Sequence, residues 1–416
     1  EQPEPKFLDV LQLLDFTGTR ALLEDDEMRR LLVPTLRADF EAVATYGRDF
    51  SRRAPLSCPI TGFAAKRDLF AAPSSMTAWR EYSTGPFALH LLDVHHYFVE
   101  THRTYLARTV AAAVAHDLGR SDVGRLRAGA AEFAHLARPM DVEARREPVY
   151  EHVDATPWFV DEPARGDASV RLYCFPAALG SDPGRRLLDS EVARHAAITR
   201  IAPPQEAHLA LPQQARAIAR ALEASARPEP FAFFGHGLGA LLAYEVAREL
   251  AARGGRSPVH LFVTGAAAPH LYLAPNANLL GDDKLVDVLD VIGHPHVGDL
   301  RRSAALRREL LPRVRRDFER MADYSASRQI ALRTPITVLR AKNDLWTFFY
   351  GMEAWADYTE GPFEIVTSAS GDHFHVDKDP AWTAELVVRK LVGSPPLVPG
   401  KTAAAQGATL QAPPGK

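Results

Sequence analysis

Cysteine is nearly absent: Cys58 and Cys174 are the two in 416 residues. That argues against a disulfide scaffold or a cysteine-built zinc site, and a reducing, cytoplasmic setting fits best. No stretch of about 18 apolar residues occurs, so no membrane-spanning helix is expected. The opening Glu1-Gln2-Pro3-Glu4-Pro5 is not followed by a signal-type apolar core. Positive charge is not in surplus either. Lys plus Arg number 49 against 52 Asp plus Glu, a formal net charge of -3, which argues against a nucleic-acid partner. Hydrophobic residues at 46% and charged residues at 24% are ordinary for a globular chain. The length suggests two to three domains at roughly 150 residues each.

The sequence repeats itself. Cys58-Pro59-Ile60-Thr61 through Gly85-Pro86-Phe87 is echoed by Thr334-Pro335-Ile336-Thr337 through Gly361-Pro362-Phe363. Asp68 pairs with Asp344, Trp79 with Trp355 and Tyr82 with Tyr358 at the same offset. Upstream, Asp39-Phe40-Glu41 matches Asp317-Phe318-Glu319 and Tyr46 matches Tyr324; downstream, His96-Tyr97 matches His373-Phe374 after a one-residue insertion. The period is far too long for a solenoid. The expected organisation is a partial copy over 1–116, a charged, Ala-rich linker, helical or loose, over 117–154, a complete copy over 155–392 and a disordered tail over 393–416. Nothing in the first copy answers residues 155–280, which reads as truncation or degeneration of a tandem.

The complete copy alternates strands and helices. Short apolar runs at 170–175, 231–234, 259–264, 336–339 and 363–366 read as strands, and 213–222 reads as a helix with Ala215, Ile218, Ala219 and Leu222 on one face. The helix after Gly239 presents Leu241, Leu242, Tyr244, Val246 and Leu250 for burial and Glu245, Arg248 and Glu249 for solvent. Such alternation predicts a mostly parallel sheet with right-handed crossovers. Helical segments between Asp283 and Tyr324 would lie over the carboxyl ends of the strands as a lid, where open α/β sheets bind ligands.

A strand entering Gly235-His236-Gly237-Leu238-Gly239 and then a helix is the setting of a G-x-S-x-G nucleophile elbow, with Gly237 where the serine belongs. Asp344 and His373 each follow a strand, in the chain order nucleophile, acid, base. Oxyanion donors would be the backbone N–H of Leu238 and of the turn Ala177-Ala178-Leu179-Gly180, Ala178 foremost. The chemistry calls for no metal and no cofactor. His236 reads as a packed, hydrogen-bonded residue, Cys174 as a small buried hydrophobe, and His294-Pro295-His296 as a lid loop.

Tyr173-Cys174-Phe175-Pro176-Ala177, Phe233-Phe234-Gly235-His236, Asp317-Phe318 and Gly371-Asp372-His373-Phe374 resemble the type II thioesterases of polyketide and nonribosomal peptide synthases. The resemblance covers about 155–392, and 7–116 for the C-terminal half alone. It implies an α/β-hydrolase with a mostly parallel sheet and a helical lid, preceded by a partial duplicate of the same fold. It also implies hydrolysis of acyl groups from the phosphopantetheine arm of acyl or peptidyl carrier proteins. Its acid and base fall on Asp344 and His373, and on Asp68 and His96 in the first copy. The nucleophile position, Gly237, is vacant, and Leu179 and the loop 202–206 depart from the family pattern.

Loss of the nucleophile costs a serine protease about 10⁶-fold in kcat. Several readings therefore stay open: a non-catalytic carrier-binding module, a working enzyme with its serine replaced, or a site repurposed around the His373–Asp344 dyad as general base. The arginines between 301 and 316 read either as a solvated helix face or as a dock for an acidic carrier protein, with Arg315 and Arg316 as the test positions.

Overall fold

The computed structural model describes residues 4–13, 24–46, 55–68, 71, 76–117, 119, 137–139, 158–162, 166, 168–202, 209–225, 227–272, 277–322, 324, 330–344, 352–369 and 371–392. The tail over 393–416 and the loop 203–206 lie outside them.

The complete copy is built on seven strands: β4 (Phe159–Asp161), β5 (Val170–Cys174), β6 (Ala196–Ile201), β7 (Phe231–His236), β8 (Leu261–Thr264), β9 (Ile336–Arg340) and β10 (Phe363–Thr367). Their order is β10-β9-β8-β7-β5-β6-β4, all neighbours parallel except β4 on β6. The α/β class and the mostly parallel sheet expected from the sequence are what the chain adopts. The sequence reading did not anticipate β4 and β6, whose Arg200 and Asp161 interrupt the apolar pattern.

Both faces of the sheet are covered at its centre, which is why β7 and β8 are buried along their whole length. Alternate residues part to opposite sides: Tyr173 and Phe233 join one core layer, Leu172, Cys174 and Phe234 the other. Helices α4 (Leu211–Ala224) and α5 (Leu238–Ala252) pack together against the first layer.

The lid comprises α6 (Asp282–Val291), α7 (Val297–Arg302) and α8 (Ala304–Ala322). Buried Leu285, Val288, Leu289, Leu300 and Phe318 hold it to the same layer. On α5 one expectation fails. Glu245 is 0% exposed instead of solvated, because Arg248 pairs with it at 2.8 Å and the Tyr324 hydroxyl donates to it at 3.1 Å. A buried carboxylate needs such partners.

The partial copy contributes α1 (Glu4–Leu13), α2 (Asp26–Tyr46), β1 (Ile60–Ala65), β2 (Phe87–Leu92) and α3 (Arg103–Asp117). Within the segment read as a linker, β3 (Ala137–Pro139) pairs antiparallel with β2, so that segment is not wholly helical or loose. The parallel register Ile60↔Phe87 reproduces Ile336↔Phe363, one repeat position for another. Pro34 lies inside α2 as Pro312 lies inside α8. The half copy rests on the lid of the complete one. Helix α1 packs on α6, and Val10 forms a small core with Ala267, flanked by Phe40, Tyr97, Leu271 and Val291.

Candidate active site at the turn between β7 and α5

The turn after β7 is held open by its glycines. A Cβ on Gly235 would stand 2.4 Å from the Gly239 carbonyl oxygen, and one on Gly239 would stand 2.6 Å from that of Pro176. Neither contact is tolerable, so strand and helix meet here only without side chains. Gly237 differs. Its φ of +54° and ψ of −125° make the sharp corner from which α5 begins, yet a Cβ there meets only His373 Nε2 at 3.9 Å and Gly265 O at 4.0 Å. Space for a side chain directed at an imidazole is present, and the side chain is not.

His373 and Asp344 reach this corner from the ends of β10 and β9. The His373 Nδ1–H donates to Asp344, at 3.1 Å from Oδ2 and 3.2 Å from Oδ1, and the two side chains are 7% and 1% exposed. That bond leaves Nε2 as the basic nitrogen, on the side of Gly237.

The surroundings are buried and rich in imidazole. His236 is buried with its ring 4.7 Å from that of His373, and neither of its nitrogens has a hydrogen-bond partner among the described residues. The expected packing of His236 is observed; the expected hydrogen bond is not. Burial, reinforced by the nearby His373 and His375, drives its pKa well below the usual histidine value. His375 approaches Thr264 Oγ1 at 3.0 Å through Nε2, and burial lowers its pKa as well.

The turn after β5 faces the lid. Leu179 takes a left-handed φ of +61°, rare for a side-chain-bearing residue. Its N–H donates to Asp317 Oδ2 on α8 at 2.7 Å, and its carbonyl accepts from His294 Nε2 at 3.0 Å. The Leu179 amide is thereby removed from the oxyanion donors, while Ala178 stands half-buried beside it and Leu238 opens α5. Asp317 is half-buried by surface area, yet its carboxyl is shielded enough that burial raises its pKa against the lowering pull of Leu179, Arg320 and Arg316. Burial holds His294 near a pKa of about 4, neutral and able to donate from Nε2. The roles of Asp317 and His294 were not read from the sequence. The doubled Asp-Phe at 39 and 317 was the signal that could have marked the first.

Cys174 is buried in the opposite core layer, where burial pushes its thiol far up and removes it as a nucleophile.

A family model described as a thioesterase domain matches residues 1–114 and 170–390. The chain belongs to the thioesterase family. It is 28% identical over 242 residues to the gramicidin S biosynthesis protein GrsT of Aneurinibacillus migulanus, covering 56% of this chain and 93% of that one. To a probable cadicidin biosynthesis thioesterase of Streptomyces griseus it is 29% identical over 225 residues, covering 52% and 61%. Among solved structures, the RedJ thioesterase of the prodiginine pathway in Streptomyces coelicolor aligns at 31% identity and a TM-score of 0.47, over 57% of this chain and 91% of the other. YbtT, a type II thioesterase of the yersiniabactin NRPS/PKS pathway, aligns at 26% and 0.48, over 57% and 98%.

In this thioesterase-family chain the half copy carries a second acid–base pair. His96 Nδ1–H donates to Asp68 Oδ2 at 2.8 Å; Asp68 is buried and the His96 side chain is 38% exposed. Asp68 raises the His96 pKa by this hydrogen bond, against burial. Asp68 Oδ1 also accepts from the Ala71 N–H at 3.0 Å.

Proposed function

We propose that the complete copy binds acyl thioesters on the phosphopantetheine arm of a carrier protein in polyketide or nonribosomal peptide assembly, in the cytoplasm, without capturing the acyl group covalently. The observation that carries this reading is the corner at Gly237: Asp344, His373 and the backbone around it are arranged for acyl transfer, and no oxygen or sulfur stands where attack would begin. An acyl-enzyme route is closed. Leu238 and Ala178 N–H groups would hold the thioester carbonyl, the Leu238 amide gaining from its place at the start of a 15-residue helix.

The room between Gly237 and His373 favours one second reading. His373, oriented by Asp344, would take a proton from water as that water attacks the thioester carbon; the C–S bond breaks, giving a carboxylic acid and a thiol. General-base help of this kind is worth about 10²–10⁴-fold, far less than a full triad supplies.

The deciding assay uses acyl-carrier and acyl-N-acetylcysteamine thioesters with the chain as it stands, with Gly237→Ser and with His373→Ala. Carrier binding without turnover, and turnover in Gly237→Ser, is the expected result. Slow turnover in the unaltered chain that disappears in His373→Ala selects the second reading. Absence of carrier binding in all three, or a rapid acyl-enzyme burst in the unaltered chain, refutes the proposal.

A further inference from the structure

At the amino ends of β5 and β7 lies a cavity of about 570 Å³. It is on the edge of the sheet opposite the Gly237 corner. Phe231, on its floor, begins the strand that ends at His236, roughly 17 Å further along. Its walls are the start of β5, the last turns of α4 and α5, and the segment 227–229. Tyr173, Leu222, Phe231 and Leu250 are each at most 9% exposed and give it an apolar floor. Its volume falls within the range of about 300–1,000 Å³ common to small-molecule sites.

Three arginines line the same cavity, and their partners leave charge over. Arg227 is bidentate on Asp161, at 3.0 and 2.6 Å. Arg171 gives Nε to Glu229 at 2.6 Å and Nη1 to Asp161 at 3.2 Å and Thr199 at 2.8 Å; its Nη2 has no partner among the described residues. Arg256 meets no carboxylate among the described residues. It donates to the carbonyls of Arg227, Pro228 and Glu229, with its guanidinium 5.5 Å from the centre of the Phe231 ring. Glu223, the other acid on the wall, faces Arg253 at 3.6 Å. Arg171, Arg227 and Arg256 therefore stand against Asp161 and Glu229, three cations to two anions. The helix carbonyls nearby are already capped, Ala221 by the Ser225 N–H at 3.0 Å and Leu250 by the Gly255 N–H at 2.9 Å.

The Tyr173 hydroxyl is unspent as well. The residue is 2% exposed and its ring packs on Phe231 and Phe233, yet its oxygen has no hydrogen-bond partner among the described residues. Burial raises its pKa against the lowering pull of Arg227 and Arg171, so it remains a protonated donor. A buried hydroxyl without a partner is costly, and a bound acceptor removes that cost.

We propose that this cavity binds a small organic monoanion, a carboxylate carried on an apolar body. The carboxylate sits among Arg256, Arg171 Nη2 and the Tyr173 hydroxyl, and the body lies on Leu222, Phe231 and Leu250. A guanidinium carries five N–H donors in a planar fork that suits a carboxylate, and the three carbonyls leave Arg256 with donors to spare. The surplus of one positive charge matches a monoanion. A phosphate dianion would leave a negative charge over beside Asp161 and Glu229, and a cation would be repelled by Arg256. The length of β7 separates this site from Gly237, and the proposal does not depend on turnover there.

The test titrates octanoate, octanamide and inorganic phosphate into the full chain, and maps contact with a diazirine-bearing octanoate by photolabelling and mass spectrometry. Octanoate should bind at least about 10-fold tighter than either control, with label on residues 222–231 and 250–256. Arg256→Gln should weaken octanoate binding by at least about 10-fold and leave octanamide little changed. Tyr173→Phe keeps the ring packing and removes one donor. It should weaken octanoate by about 3–10-fold, and it carries the test alone if Arg256→Gln, deprived of its ties to the carbonyls, does not fold. Octanamide or phosphate binding as tightly as octanoate overturns the proposal. So does label confined to the surroundings of Gly237 and His373, octanoate affinity unchanged in Tyr173→Phe, or no binding at millimolar octanoate.

Discussion

Leu179 and Asp317 lie 138 residues apart and are joined by one 2.7 Å hydrogen bond, from a strained backbone amide to a lid carboxylate. A left-handed leucine costs about 1–2 kcal/mol, and the bond, with that from His294 to the Leu179 carbonyl, is what holds the turn in this shape. Asp317→Ala should destabilise the fold by about 1–3 kcal/mol, since the Leu179 N–H loses its acceptor. Asp317→Asn keeps an acceptor oxygen and removes the charge. Because burial raises the Asp317 pKa, the folded state holds its proton to higher pH than the unfolded state does. The contribution is therefore favourable at acid pH and declines as pH rises from 3.8 towards the folded value. Urea melts at pH 3 and pH 7 should show Asp317→Asn gaining on the unaltered chain at the higher pH; an unchanged difference would contradict this.

Gly237 sits at a positive φ with open space before it. Gly237→Ala and Gly237→Ser should each cost about 1–2 kcal/mol from backbone strain, with no added clash. The two should part on chemistry. Reaction with a fluorophosphonate is expected of Gly237→Ser alone, followed by mass spectrometry. Equal inertness of both, in folded protein, would mean that His373 does not address this corner.

The strands of the complete copy were legible because both-sided burial leaves near-continuous apolar runs such as Phe231–Phe234, bounded by proline or glycine. β6 escaped notice because Thr199 in it donates a hydrogen bond to Asp161 and Arg200 forms ion pairs with Glu162 and Asp182 at the sheet edge. Around the corner, Gly235, Gly237, Gly239, Asp344 and His373 were readable from motif and chain order. Asp317 and His294 were not, since each acts on a backbone group 115 or more residues away and carries no spacing signature. Glu245 was misread because helical periodicity says which side a residue faces, not whether Arg248 and Tyr324 wait there.

The arginine-rich lid behaves as structure more than as a free basic face. Arg301, Arg302, Arg307, Arg313 and Arg315 pair with lid acids. Arg315 additionally donates to the carbonyls of Asn278 and Leu280, tying α8 to the segment before α6. Charge reversal at Arg315 should therefore lower the melting temperature, by an amount equivalent to about 1–3 kcal/mol, at any salt concentration. The exposed Arg316 is the position left to test docking: Arg316→Glu should weaken carrier binding in low salt while lowering the melt less than Arg315→Glu does, its effect on the fold passing through the charge on Asp317 alone. A melt unaltered by Arg315→Glu would refute the structural role.

Buried histidines weaken the fold in acid. Burial holds His294 and His260 at about 4 and drives His236 well below its ordinary value. Each is neutral in the folded state and ready to take a proton in the unfolded state once pH falls below 6.5. Stability is thus complete above 6.5 and is lost as pH falls towards the folded values, at up to about 1.4 kcal/mol per pH unit for each group. For His294 the window from 6.5 to about 4 corresponds to a loss of about 3 kcal/mol. His96 acts in the opposite sense, because Asp68 raises its pKa, but its exposure weakens the effect. His294→Gln can still donate to the Leu179 carbonyl and cannot titrate. Its denaturation midpoint should fall less steeply than that of the unaltered chain between pH 6.5 and 4. Parallel curves would mean that His294 is already charged in the fold, and that its bond to Leu179 is not the neutral one described.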